Sequence, residues 1–186
     1  MNDRESREGL FRLIHNPGYD FLRLSRWMES ADPENPDLPF APYMIPVIGV
    51  LAACCAIEGY VNMVGQKIDT NWNEFDKGPV PIKKCIQRIY EIVDKQADFG
   101  QGVWQQVSQL FKARIQLVHP RYTHKVEIGT SEISTIFDEV GNQFQPSISL
   151  SIASDAIDLL LSDTGLEKQK DNLNWTQRRY HGPARY

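Results

Sequence analysis

Cysteine and histidine are scarce in this chain: three and four residues, respectively, out of 186. The cysteines are Cys54, Cys55 and Cys85, an adjacent pair inside an apolar run and a distant single. That spacing makes neither a disulfide framework nor a metal-ligand set, so they read as small core residues of a protein in a reducing cytoplasm. His15, His124 and His181 have no ligand-type neighbours at useful spacing and read as surface residues. A glycine-rich phosphate loop, a Ser/His/Asp arrangement and paired-carboxylate motifs are also missing, and the sequence predicts no cofactor and no bound metal. Charge of one sign is lacking too. A net charge of -4 gives no global attraction to nucleic acid or an anionic membrane, so any polyanion has to be recognised by a local cationic site. The start, MNDRESREG, has no apolar secretory stretch, and no internal repeat is visible.

The chain does have 41% hydrophobic and 24% charged residues, enough to bury one core in a soluble domain. Its one long uncharged run, residues 40–57, approaches the length of a membrane span. Pro42, Pro46 and Gly49 interrupt it, alanine and cysteine enrich it, and it leads into Glu58 and Asn62, which favours the central helix of a bundle. The remaining pattern predicts an all-α protein of four to five helices. An N-terminal extension, 1–39, holds short amphipathic candidates around Leu10–Ile14 and Phe21–Met28, separated by Pro17-Gly18, and then a proline-rich linker at 32–42. The helical domain, 40–165, has helices expected at 45–67, 82–93, 103–119 (stopped by Pro120) and 148–161. A polar connection fills 69–79. Within 121–144 a strand at 124–128 and an apolar stretch at 133–140 stay unassigned. The tail, 166–186, is polar and reads as mobile.

The third domain helix carries the chemistry. Counted at about 100° per residue, Val103, Trp104, Val107, Leu110, Phe111, Ile115, Leu117 and Val118 share an apolar arc of roughly 160°. Arg114 falls in the middle of that arc. A charge there needs a partner, either in the core or across a cleft, because an isolated buried charge costs several kcal/mol. The simplest partner is Glu58 on the central helix, a purely structural ion pair. His119 follows five residues later, about 140° round and roughly 7.5 Å along, where helix carbonyls attract an imidazolium. A permanent guanidinium beside an imidazole suits phosphodiester cleavage: the arginine stabilises phosphoryl charge and the histidine exchanges a proton with a hydroxyl.

Arg114-Ile-Gln-Leu-Val-His119, an R-x4-H ending a helix, resembles the signature of the HEPN superfamily. The helix order is similar as well: a small-residue helix bearing Glu58 and Asn62, a second helix, the R-x4-H helix and a closing helix. The resemblance implies a helical bundle that dimerises with its R-x4-H helices face to face. It also implies metal-independent endoribonuclease activity, in which the 2′-hydroxyl attacks the adjacent phosphate. Arg114 would then hold the scissile phosphate, His119 would act as general base or acid, and Glu58 and Asn62 would support them. Many active members are toxins of toxin–antitoxin or antiphage systems, which makes an RNA substrate and an antitoxin protein the expected partners. The position after the arginine, often polar in active members, is Ile115 here, and Tyr122 lies three residues past the histidine rather than two. A non-catalytic dimerisation or interaction module of the same fold is therefore the second reading.

Overall fold

The computed structural model of the protein describes residues 17–30, 44–119 and 136–167. Those residues are all-α, with no strand among them. The helices are α1 (Pro17–Ser30), α2 (Met44–Ile68), α3 (Trp72–Phe75), α4 (Ile82–Ile92), α5 (Gly102–Val118), α6 (Ile136–Gln143) and α7 (Pro146–Asp163). The candidate around Leu10–Ile14, the linker at 32–42, the strand expected at 124–128 and the tail from 168 lie outside the described residues.

α2 is the axis of the fold, and its sequence explains why. It is apolar on nearly every side, and a helix of that kind is stable only when surrounded. α1, α7, α4, α5 and α6 all pack against it. Val50, Ala53, Cys54, Ala56, Val61 and Val64 are fully buried as a result. α2 is long and apolar enough to cross a bilayer, yet 61% of its apolar stretch is buried inside the bundle. Its small residues set the spacing: a side chain on Gly49 would meet the backbone of Pro146, which opens α7. Pro146 costs that helix nothing, because a first-turn residue has no intrahelical partner for its N–H.

The helix expected around Phe21–Met28 is α1, and it begins at Pro17, where the fixed φ of proline suits the first turn. One expectation needs correction: the stretch 69–79 is more than a polar connection. Asp69 caps the reversal after α2 by accepting a hydrogen bond from the Asn71 amide at 2.9 Å, and α3 then folds Trp72 back onto Gly65. Trp72 is 1% exposed, and only a glycine at 65 leaves room for its ring. Isolated in a polar context, this tryptophan gives no periodic signal. The Arg88 guanidinium, together with the Asn71 amide, holds the Asp69 carboxyl below the usual carboxylate range, and Arg88 Nε donates to it at 2.9 Å.

Helix ends fix the remaining geometry. At the end of α7 the Gly165 amide donates to Ser162 O at 3.1 Å and the Leu166 amide to Leu161 O at 2.8 Å, with Gly165 at φ +69°. This is the paired-bond C-terminal motif that glycine favours. α4 ends the same way, with Asp94 at φ 54° and the Lys95 amide on Tyr90 O at 2.9 Å. That turn aims Lys95 at the end of α7. Lys95 Nζ donates to Asp163 Oδ1 at 2.7 Å, Tyr90 OH to Asp163 Oδ2 at 2.6 Å, and Trp104 Nε1 to Tyr90 OH at 3.1 Å. One polar chain thus joins α4, α5 and α7 at the start of the helix that carries Arg114.

Candidate functional site

α5 presents to the core a seam of Trp104, Val107, Leu110, Phe111, Ala113 and Leu117. The helical wheel groups Ile115 and Val118 with this seam, but they are 60% and 52% exposed. The reason is positional: α5 packs on α2, α6 and α7 along one side only, so its last turn buries Leu117 and leaves Ile115 and Val118 facing away. Arg114 does lie on the seam side, half-buried.

Two contacts fix how α5 meets α2. The Cys54 thiol donates weakly to Leu110 O at 3.8 Å, and Arg114 Nη1 donates to Glu58 Oε1 at 2.5 Å. Both contacts join residues 56 apart, so the two helices run in the same direction across this crossing, one turn per contact. One turn further along α2 lies Asn62, half-buried, whose side chain makes no hydrogen bond among the described residues.

Glu58 and Arg114 are 36% and 33% exposed, a pair set at the rim of the core rather than inside it. Burial works against the charged guanidinium, and the Glu58 carboxylate more than offsets it, so Arg114 is held above its ordinary range. The guanidinium also lies 5.8 Å from the centre of the Phe111 ring, one turn back on the same helix. A guanidinium has five N–H donors, and Glu58 takes one. The rest leave Arg114 able to hold a second anion without releasing the first.

His119 is the C-cap of α5; its amide donates to Ile115 O at 2.9 Å and its ring is exposed. The sequence-predicted residues therefore fall into two groups. Arg114 and Glu58 are joined directly. Asn62 lies one turn past Glu58 on α2 and His119 five residues past Arg114 on α5, and no side-chain contact among the described residues joins either to the pair.

Cysteine chemistry has little support here. Burial pushes the Cys54 thiol well up, and burial followed by the Glu58 charge raises Cys55, so neither carries thiolate in the ordinary range. No group of three or more His, Cys, Asp or Glu among the described residues is placed to hold a metal ion. Sequence reasoning missed Cys54 and Phe111 as the packing around Arg114. The only available signal was that Cys54 and Glu58 lie four residues apart, on one face of α2. Comparison of the chain with family models, curated proteins and solved structures finds no match.

Proposed function

We propose that this protein is a HEPN-like, metal-independent endoribonuclease of the cytoplasm that works as a homodimer, of the kind that serves as a toxin restrained by an antitoxin. The carrying observation is a half-buried arginine held on one side by Glu58, with donors to spare, five residues before an exposed histidine at the end of the same helix. In that reaction Arg114 holds the scissile phosphate and neutralises the charge that builds on its oxygens as the 2′-hydroxyl attacks. His119 takes the proton from that hydroxyl or returns one to the leaving 5′-oxygen, and the product is a cyclic phosphate. Glu58 keeps the guanidinium aimed along the crossing. Asn62, one turn past Glu58 on α2, would bond the ribose or the phosphate.

The dimer reading draws support from Ile115 and Val118. Two large apolar side chains left exposed on the turn that bears the site mark a surface that another chain covers. Pairing two such ends brings two Arg114 and two His119 around one cleft.

The second reading, a non-catalytic interaction module, draws on the ion pair itself: a guanidinium bound to Glu58 at 2.5 Å already has a structural partner. One assay separates the two. Purified protein is incubated with structured and single-stranded RNA in the presence of a chelator, and the product ends are analysed. Cleavage leaving cyclic phosphates is expected, reduced about 10²–10⁴-fold in His119→Ala. Cleavage unchanged in both His119→Ala and Arg114→Ala removes the proposal. No cleavage by a correctly folded dimer supports the module.

A further inference from the structure

α5 sorts its exposed residues by chemistry. Gln105, Gln109, Lys112, Gln116 and His119 follow one another at intervals of four, three, four and three residues, and all are exposed. That spacing sets them in one stripe about 21 Å long. Ile115 and Val118 lie about 40° and 100° round the helix from His119, and the glutamines and Lys112 lie on its other side. His119 thus stands on the border between an apolar edge and a polar stripe. α5 holds no acidic residue, in a chain that has 24. α7, which packs against it, carries Asp155, Asp158 and Asp163 and no base. A face that merely meets solvent mixes the two signs. The side chains of the three glutamines and of Lys112 make no hydrogen bond or ion pair among the described residues.

We propose that this stripe is the track along which a single-stranded RNA lies to reach His119, with Lys112 as a positioning residue. The inference deepens the nuclease reading and takes its ligand from it. Lys112 and His119 stand about 10.5 Å apart along the axis and lean the same way, so the ammonium holds a phosphate other than the scissile one. Each glutamine amide offers both donors and an acceptor. That suits the ribose 2′-hydroxyl, which also does both, and the edges of unpaired bases. An acidic peptide matches Lys112 but has little use for a row of neutral amides. An anionic membrane calls for an apolar face flanked by Lys and Arg, not by glutamine. A second copy of the chain is served by Ile115 and Val118, on the other side of His119, and pairing there leaves the stripe open. In a chain of net charge -4, a helix without carboxylates supplies the local approach that the whole molecule does not.

The test reads binding on the full chain carrying His119→Ala, which removes the proposed proton carrier, by anisotropy of a fluorescein-labelled single-stranded oligoribonucleotide checked intact on a gel. Adding Lys112→Ala should weaken binding about three- to five-fold and flatten the log–log salt dependence by about 0.7, the share of one phosphate contact. Lys112→Arg should keep both. Gln109→Ala/Gln116→Ala should weaken RNA binding about ten-fold with the salt slope unchanged, and should cost less with DNA of the same sequence, which lacks the 2′-hydroxyl. With His119 in place, Lys112→Ala should raise KM for cleavage and leave kcat. The altered side chains are exposed, and matching melting curves verify that the variants are folded. No RNA binding overturns the inference, as does binding that these variants leave level; the nuclease reading survives the second result wherever cleavage persists. Binding with the expected dependence by a parent chain that cuts nothing supports the track and removes the nuclease. Variants that shift the monomer–dimer equilibrium but not RNA binding assign the stripe to a second copy of the chain and overturn the inference.

Discussion

Removing the carboxylate of Glu58 tests the centre of the site most directly. Two unit charges about 4 Å apart at an effective dielectric near 20 attract by about 4 kcal/mol before desolvation is counted. Each side chain here keeps about a third of its surface in water. The net value therefore lies between the ~0.2–1 kcal/mol of exposed pairs and the ~3–5 kcal/mol lost when a buried pair loses one partner. Glu58→Ala and Arg114→Ala should each lower stability by about 1–2 kcal/mol, a fall in Tm of roughly 2–8 °C for a domain of this size. The double variant should cost less than the sum, leaving a coupling energy of about 1 kcal/mol. Urea unfolding of the four proteins at one fixed concentration closes the cycle, with Glu58→Gln as the uncharged isostere. A coupling below about 0.3 kcal/mol would show that the two charges do not work as a unit and that Glu58 does not aim Arg114.

Gly65→Ala drives a methyl into the Trp72 ring and should destabilise the fold by about 1–3 kcal/mol. A melting curve matching that of the parent would mean that α3 does not pack on α2 as described. Ile115→Ser/Val118→Ser should shift the monomer–dimer equilibrium toward monomer by at least an order of magnitude in sedimentation; an unmoved equilibrium puts the interface elsewhere. Burial raises the Asp163 carboxyl, but Lys95 and Tyr90 pull it down further, so it ends below its ordinary value. The stability it contributes is fully present above the unfolded-state pKa near 3.9 and is lost as pH falls through the lower folded value. Asp163→Asn should therefore cost stability at neutral pH and lose that disadvantage in acid. Parallel stability curves for the two proteins from about pH 6 to pH 3 would refute this.

The sequence by itself determined the helical class, the central place of α2 and the positions of α4, α5 and α7 to within two residues. Those features follow from local periodicity and from Pro and Gly at helix ends, which any window of the chain displays. It also marked Arg114 as a charge on an inward face and named Glu58 as its simplest partner. Other facts depended on which surfaces meet. Ile115 and Val118 are as apolar as Leu117, yet only Leu117 is buried, because α5 packs on its neighbours along one side only. The helix at Trp72 has too few residues to show a period, and it exists because Gly65 leaves a hollow for the ring. The chain from Trp104 through Tyr90 to Asp163 links residues up to 73 apart, a distance over which periodicity carries no information. The same holds for the site: the sequence supplied an arginine and a histidine five residues apart. The parallel crossing of α5 on α2 decided that the arginine meets Glu58 at the rim while the histidine stays in the open.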